Sequence, residues 1–153
     1  RHICFKQQKL DVNDKIDELG GMAIGDALLE PTKIYVKPVV KLIADYPDEM
    51  PVHAMAHITG GGLVGNIPRV LPDGCNAVID KSAWPVNDIF KYLQNAGPVE
   101  EDEMFRVFNM GIGFVLVVDK DAAEEAAKKL ADSGEKVYTI GTVAKGTGKV
   151  VFK

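Results

Sequence analysis

The run Phe114-Val115-Leu116-Val117-Val118 is the longest uninterrupted apolar stretch in the 153 residues, and it constrains the fold more than any other feature. Five residues are far short of the roughly 20 that a membrane-spanning helix requires. The run is continuous rather than alternating, so as a strand it needs apolar cover on both faces. Asp119 or Asp121 then offers a cap for an Ala-rich helix over Ala122 to Ala131, stopped at Gly134. The β-rich segment Lys136-Val137-Tyr138-Thr139-Ile140 follows. Strand, helix and strand in this order call for a sheet with helices packed on it. A chain of this length buries roughly two thirds of its unfolded surface and needs no disulfide staple.

The remaining elements mix strands and helices without strict alternation, which predicts an α+β fold: a three-layer α/β/α arrangement around a mixed sheet. Residues 1–25 are polar and carry Asp11, Asn13, Asp14, Asp17 and Glu18 before Gly20-Gly21. They read as an irregular lead-in or tether, with the α+β domain over 26–153. Thr32 to Val36 reads as a strand, and Pro38 opens a helix carrying Val39, Val40, Leu42 and Ile43. Asn76 to Asp80 reads as another strand, Pro85 to Gly97 as a helix, and Glu101 to Phe105 as a short acidic one. Gly146-Thr147-Gly148 reads as a hairpin turn into a last strand, Lys149 to Phe152.

Charge and cysteine usage exclude several function classes. Eighteen basic against 22 acidic side chains leave a net charge of −4, and no basic run exceeds Lys128-Lys129, so nothing predicts a nucleic-acid partner. Cys4 and Cys75 are isolated and read as reduced thiols of a cytoplasmic protein. No signal-peptide pattern opens the chain. It begins Arg1-His2-Ile3 without an initiator Met, which predicts a piece of something longer.

The chemistry is expected in His57-Ile58-Thr59-Gly60-Gly61-Gly62-Leu63-Val64-Gly65-Asn66. Three consecutive glycines let backbone N–H groups converge on a phosphate or carboxylate without obstruction from a Cβ. Thr59 adds a hydroxyl, Asn66 an amide and Arg69 a cation. The same glycines equally suit a loop or a close contact that binds nothing. His53 and His57 stand four apart, but no Glu accompanies them as in a zinc-protease helix, so packing explains them better than a metal. A neutral His57 beside an anion site would orient a ligand or move a proton near pH 7. Gly146 to Lys149 fails as a Walker loop, with Val143 in place of the first glycine and Val150 in place of Ser or Thr. Asn109-Met110-Gly111-Ile112-Gly113 fails as a dinucleotide fingerprint because its strand follows the glycines; Asn109 remains a candidate amide at a strand end.

Three motifs together carry a resemblance. Leu28-Leu29-Glu30-Pro31-Thr32-Lys33-Ile34-Tyr35-Val36-Lys37, the glycine segment running on through Asn66-Ile67-Pro68-Arg69-Val70-Leu71-Pro72, and Glu103-Met104-Phe105-Arg106 with Phe108 to Gly113 resemble the C-terminal half of the phosphoribosylformylglycinamidine cyclo-ligases, or aminoimidazole ribonucleotide synthetases. The resemblance covers nearly the whole chain in the same order. It implies an ATP-dependent ring closure in purine biosynthesis. ATP phosphorylates the formyl amide oxygen of formylglycinamidine ribonucleotide, an internal nitrogen attacks, and phosphate leaves as the imidazole forms. It further implies a homodimeric full-length enzyme whose N-terminal half holds most of the ATP and Mg²⁺ machinery, with this half inactive alone. Carried over by residue, it places His57 in a catalytic role and Thr59, Gly60, Gly61, Gly62, Asn66 and Asn109 in substrate or phosphate binding, with no metal ligand in this half.

Two positions depart from the family pattern. Gly65 stands where Glu often precedes Asn-Ile-Pro-Arg, and Val107 where Thr often follows Arg. Both remove a polar group. The alternatives are a related ATP-dependent enzyme, such as formylglycinamidine ribonucleotide synthetase, selenophosphate synthetase or thiamine-monophosphate kinase, and a non-catalytic binding domain of the same fold.

Overall fold

The computed structural model describes residues 1–153. A π-helical turn, His2–Gln7, opens the chain, followed by the two-residue strands β1 (Lys15–Ile16) and β2 (Met22–Ala23) and the helices α1 (Ile24–Leu28) and α2 (Val36–Ala44). Then come β3 (Val52–His57), α3 (Gly62–Asn66), β4 (Cys75–Ile79), α4 (Asp88–Ala96) and α5 (Glu101–Val107). The chain ends with β5 (Phe114–Val118), α6 (Ala123–Asp132), β6 (Gly141–Lys145) and β7 (Val150–Phe152). The α+β class with a mixed sheet holds. β4 lies between β6, antiparallel to it, and β7, parallel to it, while β3 and β5 form a separate antiparallel pair.

Four expectations are corrected. Residues 1–25 are no tether: Cys4, Ile16 and Ile24 are buried in the same core as Leu63, Met104 and Phe105, and the Gln8 amide donates to the Ala96 carbonyl at 2.7 Å. Their apolar side chains are too far apart to show a period, yet each reaches the core. Thr32 to Tyr35 forms no strand, because Tyr35 already serves as the N-cap of α2. Lys136 to Ile140 likewise forms no strand in spite of its β-branched and aromatic residues; only its last carbonyl, of Ile140, reaches the sheet, accepting the Asp80 N–H at 2.9 Å just before β6 begins. It lies instead along an open groove of about 1670 Å³, across from β5, since strand propensity reports a fit to neighbours and not an intrinsic backbone preference. Gly146 to Gly148 does turn the chain, but β6 and β7 flank β4 and do not pair as a hairpin. The turn is seated on Asn76, whose Oδ1 accepts the N–H groups of Thr147 (2.8 Å) and Lys149 (3.0 Å).

Two apolar clusters position the site. The larger joins the lead-in, α3, α4, α5 and β4, with Met104 and Leu63 fully buried. The smaller, Leu42, Val52 and Ala126, packs α2 and α6 against the β3–β5 pair. β3 is therefore held at both ends: Val52 by the smaller cluster, and Ala56, with Ile58 just beyond it where the glycine loop begins, by the larger.

Candidate functional site

His57 is the last residue of β3 and is exposed. Its cross-strand partner is Phe114, the first residue of β5, with ring centroids 6.1 Å apart. Tyr35 completes a three-ring cluster, 5.8 Å from His57 and 5.2 Å from Phe114. Burial pushes the Tyr35 hydroxyl above its usual range, with Lys33 opposing the shift. His53 ends up elsewhere. Four residues of strand put it about 13 Å from His57, and its Nε2 lies 2.7 Å from the Asp119 carboxylate on the surface.

The glycine loop leaves β3 through Ile58, whose N–H donates to the Gly113 carbonyl at 2.9 Å. The next three N–H groups, of Thr59, Gly60 and Gly61, donate to no acceptor within the protein. Thr59 and Gly60 are exposed. Gly61 and Gly62 take φ of 99° and 57°, the left-handed region that glycine enters without steric cost. The three glycines are not equivalent. Gly60 has open space where a Cβ would stand, whereas a Cβ on Gly62 would overlap the carbonyl oxygens of Phe105 and Phe108. Gly60 and Gly61 present the loop; Gly62 is a contact with the end of α5.

Asn66 does not face the opening as expected from the sequence. It is the one buried polar residue of the molecule, and its Nδ2 donates to the carbonyls of Gly62 (2.8 Å), Thr59 and Gly60 (3.3 Å each), while the Thr59 hydroxyl donates to its Oδ1 at 3.4 Å. The side chain gathers three of the loop's carbonyls, while the N–H groups of residues 59–61 keep no partner in the protein. Asn109 is also committed locally: its Oδ1 accepts the Gly111 N–H at 3.1 Å. That bond closes a turn in which Met110 holds φ of 51°. Met110 is buried, and its carbonyl accepts the Trp84 indole N–H at 2.9 Å, so packing fixes a conformation that costs a non-glycine residue of order 1–3 kcal/mol.

All three sequence motifs thus meet at one end of the β3–β5 pair, through Tyr35, through His57 to Asn66, and through Phe108 to Gly113, whose carbonyl accepts the Ile58 N–H. Arg69 lies apart from the loop and lines the groove. That groove shares Tyr35, Gly113 and Phe114 with the site wall but none of residues 57–62. The residues missed from sequence are Tyr35 and Gly113, whose only signal was their presence in the motifs. No group of three or more His, Cys, Asp or Glu side chains is placed together to hold a metal ion.

Residues 3–153 match the family described as AIR synthase related protein, C-terminal domain. The chain belongs to that family. This AIR synthase related domain is 48% identical over 95% of its length to the phosphoribosylformylglycinamidine cyclo-ligase of Geotalea daltonii, and 50% identical over 93% to that of Clostridium tetani. It spans only 40% and 41% of those relatives. Among solved structures it resembles E. coli HypE, a hydrogenase maturation protein, with a TM-score of 0.60 at 20% identity over 95% of this chain and 48% of that one. At that identity the likeness concerns the fold alone.

Proposed function

We propose that this domain forms one wall of the active site of a phosphoribosylformylglycinamidine cyclo-ligase, with the glycine loop holding a phosphate group. One observation carries the reading: three successive N–H groups, of Thr59, Gly60 and Gly61, lack a partner in the protein beside an exposed His57. Such a set of oriented amides favours an anion, and donors fixed before reaction stabilise phosphate charge without reorganisation. Both substrates of that reaction, ATP and formylglycinamidine ribonucleotide, carry phosphate. His57 stands beside the loop with an imidazole that makes no hydrogen bond within the protein, free to orient the formyl amide or to move a proton as the ring closes.

Chain relatives extend well beyond the matched portion, and the remaining part of the enzyme is proposed to hold the adenine nucleotide and Mg²⁺. The two cysteines are unpaired, which supports a reducing compartment, the cytoplasm. No helix is long and apolar enough to cross a membrane. The full-length enzyme is proposed to act as a homodimer, on the resemblance to the cyclo-ligases.

The test is ATP-dependent turnover of formylglycinamidine ribonucleotide by the full-length protein carrying this sequence, followed as ADP release and imidazole formation. Turnover in the wild type and a loss of 10²-fold or more in His57→Ala support the reading. A folded, nucleotide-binding full-length protein that turns over nothing excludes the cyclo-ligase, and unchanged turnover in His57→Ala reduces that residue to packing.

A further inference from the structure

We propose that Tyr35 is a positioning residue for His57, and that position 113 is glycine to make room for it; the inference rests on the reading of His57 as the group that faces substrate. The His57 imidazole has no hydrogen-bond partner in the protein, so its orientation comes from packing alone. Only two rings are in reach, Phe114 across the strand pair and Tyr35 from the start of α2. Tyr35 meets His57 edge to face, at 66° between ring planes, and lies tilted by 34° on Phe114. Centroid separations of 5.2 to 6.1 Å fall in the range where aromatic pairs attract beyond simple burial.

Gly113 shows how closely the cluster is fitted. Its φ lies outside the left-handed region, so conformation does not demand glycine. A Cβ there would instead overlap the Tyr35 hydroxyl. The same residue's carbonyl accepts the Ile58 N–H at the root of the glycine loop. Lys33 pairs with Glu135 at 2.6 Å and pins the segment that carries Tyr35. Tyr35 at the N-cap of α2 thereby joins a strand-entry glycine to the candidate catalytic histidine.

The test reads the His57 ring directly, by ¹H–¹³C spectra of the imidazole Hδ2 and Hε1 of this chain, assigned with His57→Gln. Tyr35→Phe keeps the ring and is expected to keep the ring-current shifts of His57. Tyr35→Leu removes one ring current by itself, so the position of His57 is read from the nuclear Overhauser contacts between its ring and that of Phe114, which are expected to weaken in Tyr35→Leu and in Gly113→Ala, which displaces an intact tyrosine. Unchanged His57–Phe114 contacts in a folded Tyr35→Leu or Gly113→Ala protein overturn the proposal, and so does their loss in Tyr35→Phe. The readout does not depend on turnover. If the full-length protein proved not to be a cyclo-ligase, the contacts would still show whether Tyr35 places His57, and if the contacts failed to weaken, the turnover assignment would stand.

Discussion

Asn66 and Gly62 hold the glycine loop in place without touching its open side. Asn66→Ala removes the donor shared by three carbonyls in a buried setting, where each unsatisfied polar group is costly. A loss of about 2 to 3 kcal/mol in a urea titration is expected, together with weaker binding at the loop. Gly62→Ala is expected to cost about 2 kcal/mol or more, because it must move the backbone at the end of α5. Gly60→Ala faces open space and should stay within about 0.5 kcal/mol of the wild type. Equal costs at the two glycines would contradict the division of labour between them. The sequence identified the loop and its histidine; it did not separate presenting glycines from a packing one, because that difference lies in what α5 brings close. Asn66 read as a ligand group for the same reason: an amide beside three glycines looks alike whether it faces outward or inward.

At the scale of elements, two carboxylates held by local hydrogen bonds contribute to the acid response. Hydrogen bonds from the Ser82 hydroxyl and N–H hold Asp80, just after β4, below its ordinary range, and a two-pronged contact from Arg106 does the same for Glu103 in α5. A depressed folded value means stability that is complete above the unfolded range, about pH 4, and is lost as pH falls through the lower folded values. Denaturation midpoints should therefore fall on acidification below about pH 4, and Asp80→Asn with Glu103→Gln should flatten that slope. An unaltered slope in the double variant would remove these bonds from the account. Helices α2, α4, α5 and α6 and the β5 run were legible because their apolar spacing is local; α1 and α3, five residues each, are too short to show a period. The segments 32–35 and 136–140 were not, because a strand exists only where an edge accepts it, and the sequence does not show which edges are free.

The whole molecule depends on contacts that run from its first residues to its last strand. Cys4, Ile16 and Ile24 belong to the main core, and Ile3 packs where a side chain on Gly97 would stand. Removing residues 1–25 should strip this cover and abolish cooperative unfolding; a cooperative transition in the 26–153 fragment would restore the tether reading. At this scale the family was legible in three motifs of fixed order, and the structure adds their reason for travelling together: the ends of β3 and β5 bring Tyr35, the glycine loop and the Asn109–Gly113 turn to one place.

The most direct test of the central claim is a titration of the ¹⁵N-labelled chain with inorganic phosphate, observed at each backbone amide. Saturable shifts concentrated at Thr59, Gly60 and Gly61, weakened in Asn66→Ala, are expected. Shifts spread over the lysine-bearing surface, or none at these three amides, would contradict it.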